Sequence, residues 1–120
     1  MTSSNLPPRV LIAEDEFLVG VLLEENLRES GYDVVGPISD LPALLAALET
    51  EKFHCAILDV NLGGQMVYPA VDILMKRGLP FTLLSWYGSS NLPEPYRSAA
   101  VMGKPCEFRD IEAWVKRVTA

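Results

Sequence analysis

Short apolar runs alternate along this chain with longer stretches in which apolar residues recur every three or four positions. The runs are typical of short strands, and they lie at 9–13, 33–35, 55–58, 81–84 and 100–102. The longer stretches are typical of amphipathic helices, and they lie at 17–29, 40–48, 68–76 and 107–118. Strands that alternate with helices in this way predict an α/β protein with a parallel sheet covered by helices on both faces.

Turn and capping residues support these boundaries. Ser30-Gly31 ends the first helical stretch, Gly36-Pro37 is predicted to end the second strand, and Gly78 is a helix C-cap. Either Ser39 or Asp40 is predicted to cap the second helix, which has a proline in its first turn. Two prolines interrupt the stretch 88–99, where the rhythm requires a fourth helix, so we expect a loop or a single turn there.

Length and composition indicate one soluble globular domain. The chain has 120 residues, 49% of them hydrophobic and 22% charged. Residues 1–8 are polar and proline-rich, and they are predicted to form a flexible N-terminal arm before a domain that spans 9–120. The net charge of −6 and the lack of a basic block argue against a nucleic-acid-binding surface.

The sequence also bears on the compartment. No apolar run approaches the roughly 20 residues that cross a bilayer, and no signal-peptide pattern precedes residue 9. The two cysteines, Cys55 and Cys106, show no metal or redox spacing and are interpreted as reduced thiols. We therefore expect a cytoplasmic protein without a membrane segment.

Carboxylates follow two of the apolar runs directly. Asp59 comes immediately after Leu58, and the run Glu14-Asp15-Glu16 follows the first strand. Parallel strands end at the same edge of a sheet, where open α/β folds bind their ligands. Like charges brought together there require a raised pKa or a cation, and Mg²⁺ is the natural choice for oxygen ligands. The simpler alternative is that these acids only cap the following turn and helix.

Two further side chains belong to the same edge. Ser85 follows the fourth strand and Lys104 follows the last one. Taken alone, Ser85 is more easily interpreted as a turn hydroxyl. Lys104, taken alone, is more easily interpreted as a solvated surface lysine. Together with Asp59 and the acids that follow the first strand, however, they match what a phosphorylated aspartate requires: a metal, an ammonium and a hydroxyl around the phosphoryl oxygens. Pro105 allows a cis peptide bond that would direct the ammonium inward.

Four short motifs in this order, VLIAEDE, ILDVNLGG, LLSWYG and MGKP, resemble those of response-regulator receiver domains over residues 9–118. The resemblance implies a doubly wound, flavodoxin-like fold with a five-stranded parallel sheet in the order 2-1-3-4-5 and a shortened or disordered fourth helix. It implies Asp59 as the phosphorylated residue and Mg²⁺ as the cofactor. Glu14 and Asp15 match the family's metal-binding acid pair, and Asn61 matches the position whose backbone carbonyl binds the metal. Ser85 matches the switch hydroxyl, and Lys104 matches the lysine of the family pattern. The stretch around the fourth strand is similar to an alphaproteobacterial subgroup with an FATGYG-like motif.

Some positions depart from the family pattern. Many receivers have an aromatic residue three positions before the lysine, where this chain has Val101. Trp86 replaces a small residue next to the phosphorylation position, and it either narrows access to Asp59 or covers the site, with Tyr87 as a substitute moving aromatic. The alternative is that Trp86 and Tyr87 only cover the shortened fourth helix. Cys106 is expected to serve packing, and His54 is expected at the surface rather than as a phosphodonor.

These observations favour a single-domain response regulator that accepts a phosphoryl group on Asp59 from a histidine kinase or a histidine phosphotransfer protein. It would then switch or relay the signal through contacts with a downstream target protein, without turning over an external substrate. The second hypothesis is a degenerate receiver that acts as a constitutive interaction module, with Trp86 blocking the site. A metal-dependent phosphohydrolase is disfavoured because the chain has no room for a cap, and an FMN binder because the first turn presents carboxylates to a phosphate.

Overall fold

A computed structural model describes residues 6–88 and 92–120. Its strands are β1 (Arg9–Ala13), β2 (Asp33–Ile38), β3 (Cys55–Asp59), β4 (Asn61–Leu62), β5 (Gln65–Met66), β6 (Phe81–Ser85) and β7 (Ala100–Gly103). Its helices are α1 (Phe17–Glu29), α2 (Leu41–Thr50), α3 (Tyr68–Arg77) and α4 (Phe108–Thr119). A single 3₁₀ turn (Glu94–Tyr96) lies between β6 and β7. The described residues thus follow the predicted alternation of strands and helices.

Five of these strands form one parallel sheet in the order β2-β1-β3-β6-β7. Since β6 and β7 are the fourth and fifth strands of this sheet in chain order, the predicted order 2-1-3-4-5 and the flavodoxin-like fold are confirmed. The strands β4 and β5 pair antiparallel as a separate small hairpin, which the sequence analysis did not predict. This hairpin directly follows Asp59 and is part of the site described below.

Helices cover the sheet on both faces, so its central strand β3 is buried along its entire length. One core cluster joins the sheet to α2 and α3, and its helical members include Leu44, Leu48, Val71 and Leu74. The other joins the sheet to α1 and α4, and its helical members include Leu23, Leu27, Ile111, Trp114 and Val115. Apolar packing on both faces holds the strand ends, and the side chains that follow them, in fixed positions.

The second strand is longer than predicted. Gly36-Pro37 was expected to end it, but β2 continues to Ile38, and that prediction was wrong. The pairing of β1 with β2 shifts register between Leu11 and Ala13, and the Glu14 amide donates to the Ile38 carbonyl at 2.9 Å. Gly36 has a φ of +111°, which a residue with a side chain rarely adopts. The strand therefore passes through an irregularity instead of ending there.

The other boundaries agree closely with the sequence. Asp40 is the helix cap, and its side chain accepts a hydrogen bond from the Ala43 amide at 2.8 Å. Gly78 ends α3 in the left-handed conformation. In the stretch 88–99, residues 89–91 lie outside the described part, and the remainder contains only the 3₁₀ turn. The expected loop or single turn agrees with this, because prolines 93 and 95 leave room for no more than one turn.

Two expectations concern the ends of the chain and the membrane. Most of the predicted N-terminal arm, residues 1–5, lies outside the described part, so its flexibility stays a prediction. Among the described helices, none combines the length and the apolar character needed to span a bilayer.

Candidate functional site

The carboxyl ends of β1 and β3 bring three carboxylates together. Ala13 pairs with Leu58 in the sheet, so Glu14 and Asp59, which follow them, leave neighbouring strands side by side. Carboxylate oxygens of Glu14, Asp15 and Asp59 all lie within 4.8 Å of one another. Glu14 and Asp59 are buried, whereas Asp15 is exposed at the rim. The cluster is thus buried at its bottom, where Glu14 and Asp59 lie, and open to solvent at Asp15.

Lys104 contacts this cluster from the end of β7. Its ammonium Nζ lies 2.9 Å from Asp59 Oδ2 and 3.3 Å from Glu14 Oε1. Glu16 contributes a third carboxylate at 3.5 Å from the same nitrogen. Only 7% of the Lys104 side chain is exposed, so the ammonium is nearly desolvated among these acids. The Lys104–Pro105 peptide bond is cis, as the sequence allowed.

Ser85 occupies the last position of β6, directly beside the strand that carries the lysine. Ser85 pairs with Gly103 in the sheet, and its carbonyl accepts a hydrogen bond from the Lys104 amide at 2.8 Å. The Ser85 hydroxyl oxygen accepts a hydrogen bond from the Tyr87 amide at 3.1 Å. Because that bond uses a lone pair of the oxygen, the hydroxyl proton remains available for donation. The structure therefore places all the predicted site side chains at one edge of the sheet.

The hairpin β4–β5 closes the site from the side that follows Asp59. The Asn61 amide donates to Asp59 Oδ1 at 3.2 Å, and the Gly64 amide donates to Asn61 Oδ1 at 2.7 Å. The Gly63 amide donates to Asp15 Oδ2 at 2.9 Å and so fixes the exposed carboxylate. Sequence reasoning identified Asn61 but missed these glycine amides. The signal was the Gly63-Gly64 pair, since both residues adopt positive φ angles that suit a tight hairpin turn.

Burial among like charges shifts the proton affinities of the site. Burial raises the pKa of Glu14 to about 7, and its hydrogen bond with Asp59 acts in the same direction. Burial acts to lower the pKa of the Lys104 ammonium, but its hydrogen bond to Asp59 and the charge of Asp59 outweigh this and raise that pKa. Lys104 therefore stays protonated at neutral pH. One ammonium does not neutralise four neighbouring acids, so the pocket retains a negative surplus.

The donor set fits a hard divalent cation. Three carboxylates within 4.8 Å supply the oxygen ligands that Mg²⁺ prefers, and the exposed side at Asp15 leaves room for the waters it retains. Glu14, Asp15 and Asp59 are therefore the residues able to hold such an ion.

Trp86 borders the site on the side of α1 and α4. The Lys104 ammonium lies 5.5 Å from the centroid of its ring, within the range of a cation–π contact. Trp86 is 61% exposed, and it lines an apolar cavity of about 360 Å³ together with α1 residues such as Val19 and Leu22. Cys106 also lines this cavity and packs against the core cluster that joins the sheet to α1 and α4, whereas His54 lies at the surface and accepts from the Arg9 amide at 2.9 Å. Both agree with the expected packing and surface roles.

Comparison with known proteins gives a consistent assignment. No protein-family model matches the chain. The chain is 36% identical over 110 residues to the transcriptional regulatory protein PdtaR of Mycobacterium tuberculosis, a match that covers 88% of this chain and 54% of that protein. It spans about half the length of the curated transcriptional regulators it matches, 54% and 48%.

Solved structures extend the likeness to the whole fold. SdrG from Sphingomonas melonis superposes with a TM-score of 0.78 at 28% identity, covering 97% of this chain and 99% of that one. The response regulator PhyR from Brucella abortus gives a TM-score of 0.78 at 25% identity, over 93% of this chain and 47% of that one. Several further structures that share the fold are described as receiver domains. The subgroup with the FATGYG-like motif stays a prediction, but the chain itself belongs to the family of response-regulator receiver domains.

Proposed function

We propose that this receiver domain accepts a phosphoryl group on Asp59 from a histidine kinase or a histidine phosphotransfer protein and passes the signal on by protein–protein contact. The observation that carries the proposal is the 2.9 Å contact between Lys104 Nζ and Asp59 Oδ2 inside a cluster of further carboxylates. A structural ion pair would not require additional acids around it. An acceptor of a highly charged group does require a fixed cation and a place for a second one.

Asp59 is the nucleophile in this proposal. One of its carboxylate oxygens forms a bond to phosphorus while the bond from phosphorus to the histidine nitrogen breaks, and the imidazole leaves with the electron pair of that bond. The Asn61 amide and the Lys104 ammonium each hold one Asp59 oxygen in the unmodified site. These two contacts orient the carboxylate before a donor arrives.

Lys104 and Ser85 act on the phosphoryl oxygens. The Lys104 ammonium lies within reach of Asp59 and neutralises the negative charge that the transferred group brings. The Ser85 hydroxyl donates a hydrogen bond to a phosphoryl oxygen, while the Tyr87 amide, which donates to the hydroxyl oxygen, keeps the hydroxyl in place. Glu14, Asp15, Asp59 and the Asn61 carbonyl would hold Mg²⁺, which would supply charge neutralisation and would orient the phosphoryl group.

We further propose that the protein works in the cytoplasm as a phosphoacceptor rather than as an enzyme with an external substrate. Its partners are then a phosphodonor protein with an exposed histidine and a downstream target protein. Support comes from the likeness to response regulators and from the position of Asp59, which is 6% exposed and lies in the acid cluster beside the Lys104 ammonium.

Acetyl phosphate provides the direct test of this function. We expect the chain, incubated with acetyl phosphate and Mg²⁺, to gain the mass of one phosphoryl group, because the site needs only a reactive phosphoryl donor and a cation. Addition of EDTA is expected to suppress the gain, since the acid cluster then keeps its negative surplus. Intact-protein mass spectrometry measures the modified fraction. A folded chain that gains no mass in the presence of Mg²⁺ would refute the proposal.

Trp86 provides an optical test of the metal site. Addition of Mg²⁺ is expected to change the fluorescence of Trp86, because the ion competes with Lys104 for Asp59 and Glu14 and alters the cation–π contact of the ring. The Asp15→Asn variant is expected to require about tenfold more Mg²⁺, since one ionised ligand is lost. Trp86→Phe is the matched control, because the buried Trp114 then remains as the only tryptophan, and excitation at the red edge of the absorption band selects it over the tyrosines. If Mg²⁺ does not change the fluorescence of the wild type, the result would instead favour the second hypothesis, a degenerate receiver that acts as a constitutive interaction module.

A further inference from the structure

The stretch between β6 and β7 is fastened to α3 by a contact that the proposed chemistry does not use. The rings of Tyr68 and Tyr96 are stacked, with centroids 4.6 Å apart and planes inclined by only 13°. The Tyr96 hydroxyl donates a hydrogen bond to Asp72 Oδ1 at 2.8 Å. Tyr68 and Asp72 are four positions apart on α3 and so lie on the same side of the helix. We define this three-residue contact as the tyrosine clasp.

The clasp holds a segment with few other attachments. Residues 92–99 contain only the 3₁₀ turn, and their deepest anchor is Leu92, which is 3% exposed in the core cluster beneath α2 and α3. Arg97 Nε donates to the Leu92 carbonyl at 3.2 Å, which ties the segment to itself and not to the sheet. Tyr96 and Tyr68 are only partly buried, and Asp72 is exposed. A partly exposed aromatic stack and a hydrogen bond to an exposed carboxylate are stable enough to form, but a modest free energy is enough to break them.

Both halves of the clasp are connected to Asp59 through short, hydrogen-bonded paths. On the α3 side, Tyr68 follows Val67, whose amide donates to the carbonyl of Val60, the residue next to Asp59. The hairpin β4–β5 lies between Val60 and Val67 in the chain and contacts Asp59 through the Asn61 amide. On the other side, the segment 92–99 leads directly into β7, at whose end Lys104 binds Asp59. Val67 is fully buried, so this connection is rigid at the α3 end.

We propose that the tyrosine clasp is closed in the unmodified domain and opens when Asp59 carries a phosphoryl group, so that it regulates the same site. The inference rests on the proposed function. A phosphoryl group on Asp59 offers new acceptor oxygens to the Lys104 ammonium and the Asn61 amide. As these donors shift toward the new oxygens, they displace α3 and the segment 92–99, which carry the two halves of the clasp. A stacked pair with a 2.8 Å hydrogen bond tolerates little relative displacement. Opening releases residues 92–99 for a partner.

Amide hydrogen exchange of the full chain tests the clasp directly. We expect peptides covering 92–99 to exchange about tenfold faster after phosphorylation with acetyl phosphate and Mg²⁺. This is the change expected when one charge-assisted hydrogen bond and the aromatic stack beside it are lost. Tyr96→Ala is expected to exchange fast with or without phosphorylation. Tyr96→Phe keeps the stack and loses the hydrogen bond, so an intermediate rate is expected. Asp72→Asn keeps an acceptor oxygen and is expected to resemble the wild type. Tyr32→Phe, on the opposite face of the sheet, is the matched control.

Thermodynamic linkage supplies a second readout that simple loss of a structural contact would not change. If occupation of the site opens the clasp, then opening the clasp strengthens occupation by the same factor. Tyr96→Ala is therefore expected to bind Mg²⁺–beryllofluoride, an analogue of the phosphoryl group, several-fold more tightly than the wild type. Asp72→Ala is expected to do the same, and Tyr32→Phe is expected not to. Unchanged affinity in both clasp variants would overturn the proposal.

The two proposals fail in distinguishable ways. Intact mass measured on the exchange samples reports whether Asp59 has been modified. Equal exchange over 92–99 in modified and unmodified wild type would overturn the clasp while leaving the proposed function intact. If the wild type neither gains a phosphoryl group nor binds beryllofluoride, the proposed function is overturned, and the clasp falls with it as a regulator of that site.

Discussion

The Asp59→Asn variant is expected to lose phosphorylation entirely, with the rate of modification by acetyl phosphate falling at least about a thousandfold. Asparagine has nearly the shape of aspartate, but its amide is not a nucleophile toward phosphorus. The Asn61 amide is still able to donate to the side-chain oxygen, and Lys104 keeps Glu14 and Glu16 as partners at 3.3 and 3.5 Å. The substitution thus removes the chemistry and leaves most contacts in place.

Stability measurements separate this effect from misfolding. Removing one charge relieves repulsion between Asp59 and Glu14, so we expect the melting temperature of Asp59→Asn to be no lower than that of the wild type. Circular dichroism measures the melting, and intact-protein mass spectrometry measures the modification. The matched control is Asp110→Asn in the first turn of α4, which is expected to be phosphorylated like the wild type. Phosphorylation of a folded Asp59→Asn variant would place the acceptor on another side chain.

The Gly36→Ala variant is expected to be destabilised by at least about 4 kcal/mol, a large part of the free energy of unfolding of a small domain. A Cβ at this position would lie 2.6 Å from the Ile12 carbonyl oxygen and 2.8 Å from the Ile38 amide nitrogen. Both neighbours are backbone atoms of paired strands and have no freedom to move aside. The φ of +111° adds strain for any residue with a side chain.

Gly31→Ala is the matched control for this substitution. Gly31 also has a positive φ, +95°, but among the described residues no heavy atom lies within 4 Å of where its Cβ would be. Its replacement therefore introduces backbone strain without a clash, and we expect a loss of only about 1 kcal/mol. Urea denaturation of both variants yields the two free energies of unfolding. Equal losses would mean that strain alone, and not the close approach to β1, decides the cost at Gly36.

Local sequence was sufficient to predict most of the fold because the strands are short, apolar and buried on both faces. The run Cys55–Leu58 forms β3 as expected, and Asp59 completes that strand at the edge where the site lies. The second strand was misjudged because Gly36-Pro37 usually ends a strand. Whether it does so here depends on how the neighbouring β1 adjusts its register, which is a long-range property.

The helix faces show a similar limit of local patterns. Leu18 and Leu22 follow the apolar spacing of α1, yet they are 71% and 58% exposed, whereas Leu23 and Leu27 are buried. Two overlapping apolar stripes fit the sequence of this helix, and only the position of the sheet decides which one is covered. The apolar spacing in the stretch 17–29 therefore predicts the helix but does not distinguish its core residues from its exposed ones.

The positions of the site side chains followed from one topological rule, that parallel strands end at a common edge. What the sequence did not reveal were contacts between segments far apart in the chain. Glu16 was interpreted only as a possible cap, although it contributes a third carboxylate to Lys104. The contact of Gly63 with Asp15 spans 48 positions, and the stack of Tyr68 with Tyr96 depends on how an irregular segment packs on α3. Neither the Gly63–Asp15 contact nor the Tyr68–Tyr96 stack produces a periodic pattern in the sequence.

The sheet order distributes the site over two halves of the chain. The acids leave β1 and β3, whereas the hydroxyl and the ammonium leave β6 and β7, so the junction of β3 with β6 divides the site. A nascent or cleaved chain that contains only the first half carries Asp59 without Ser85 and Lys104. The complete site therefore forms only after β6 and β7 have been synthesised and have joined the sheet.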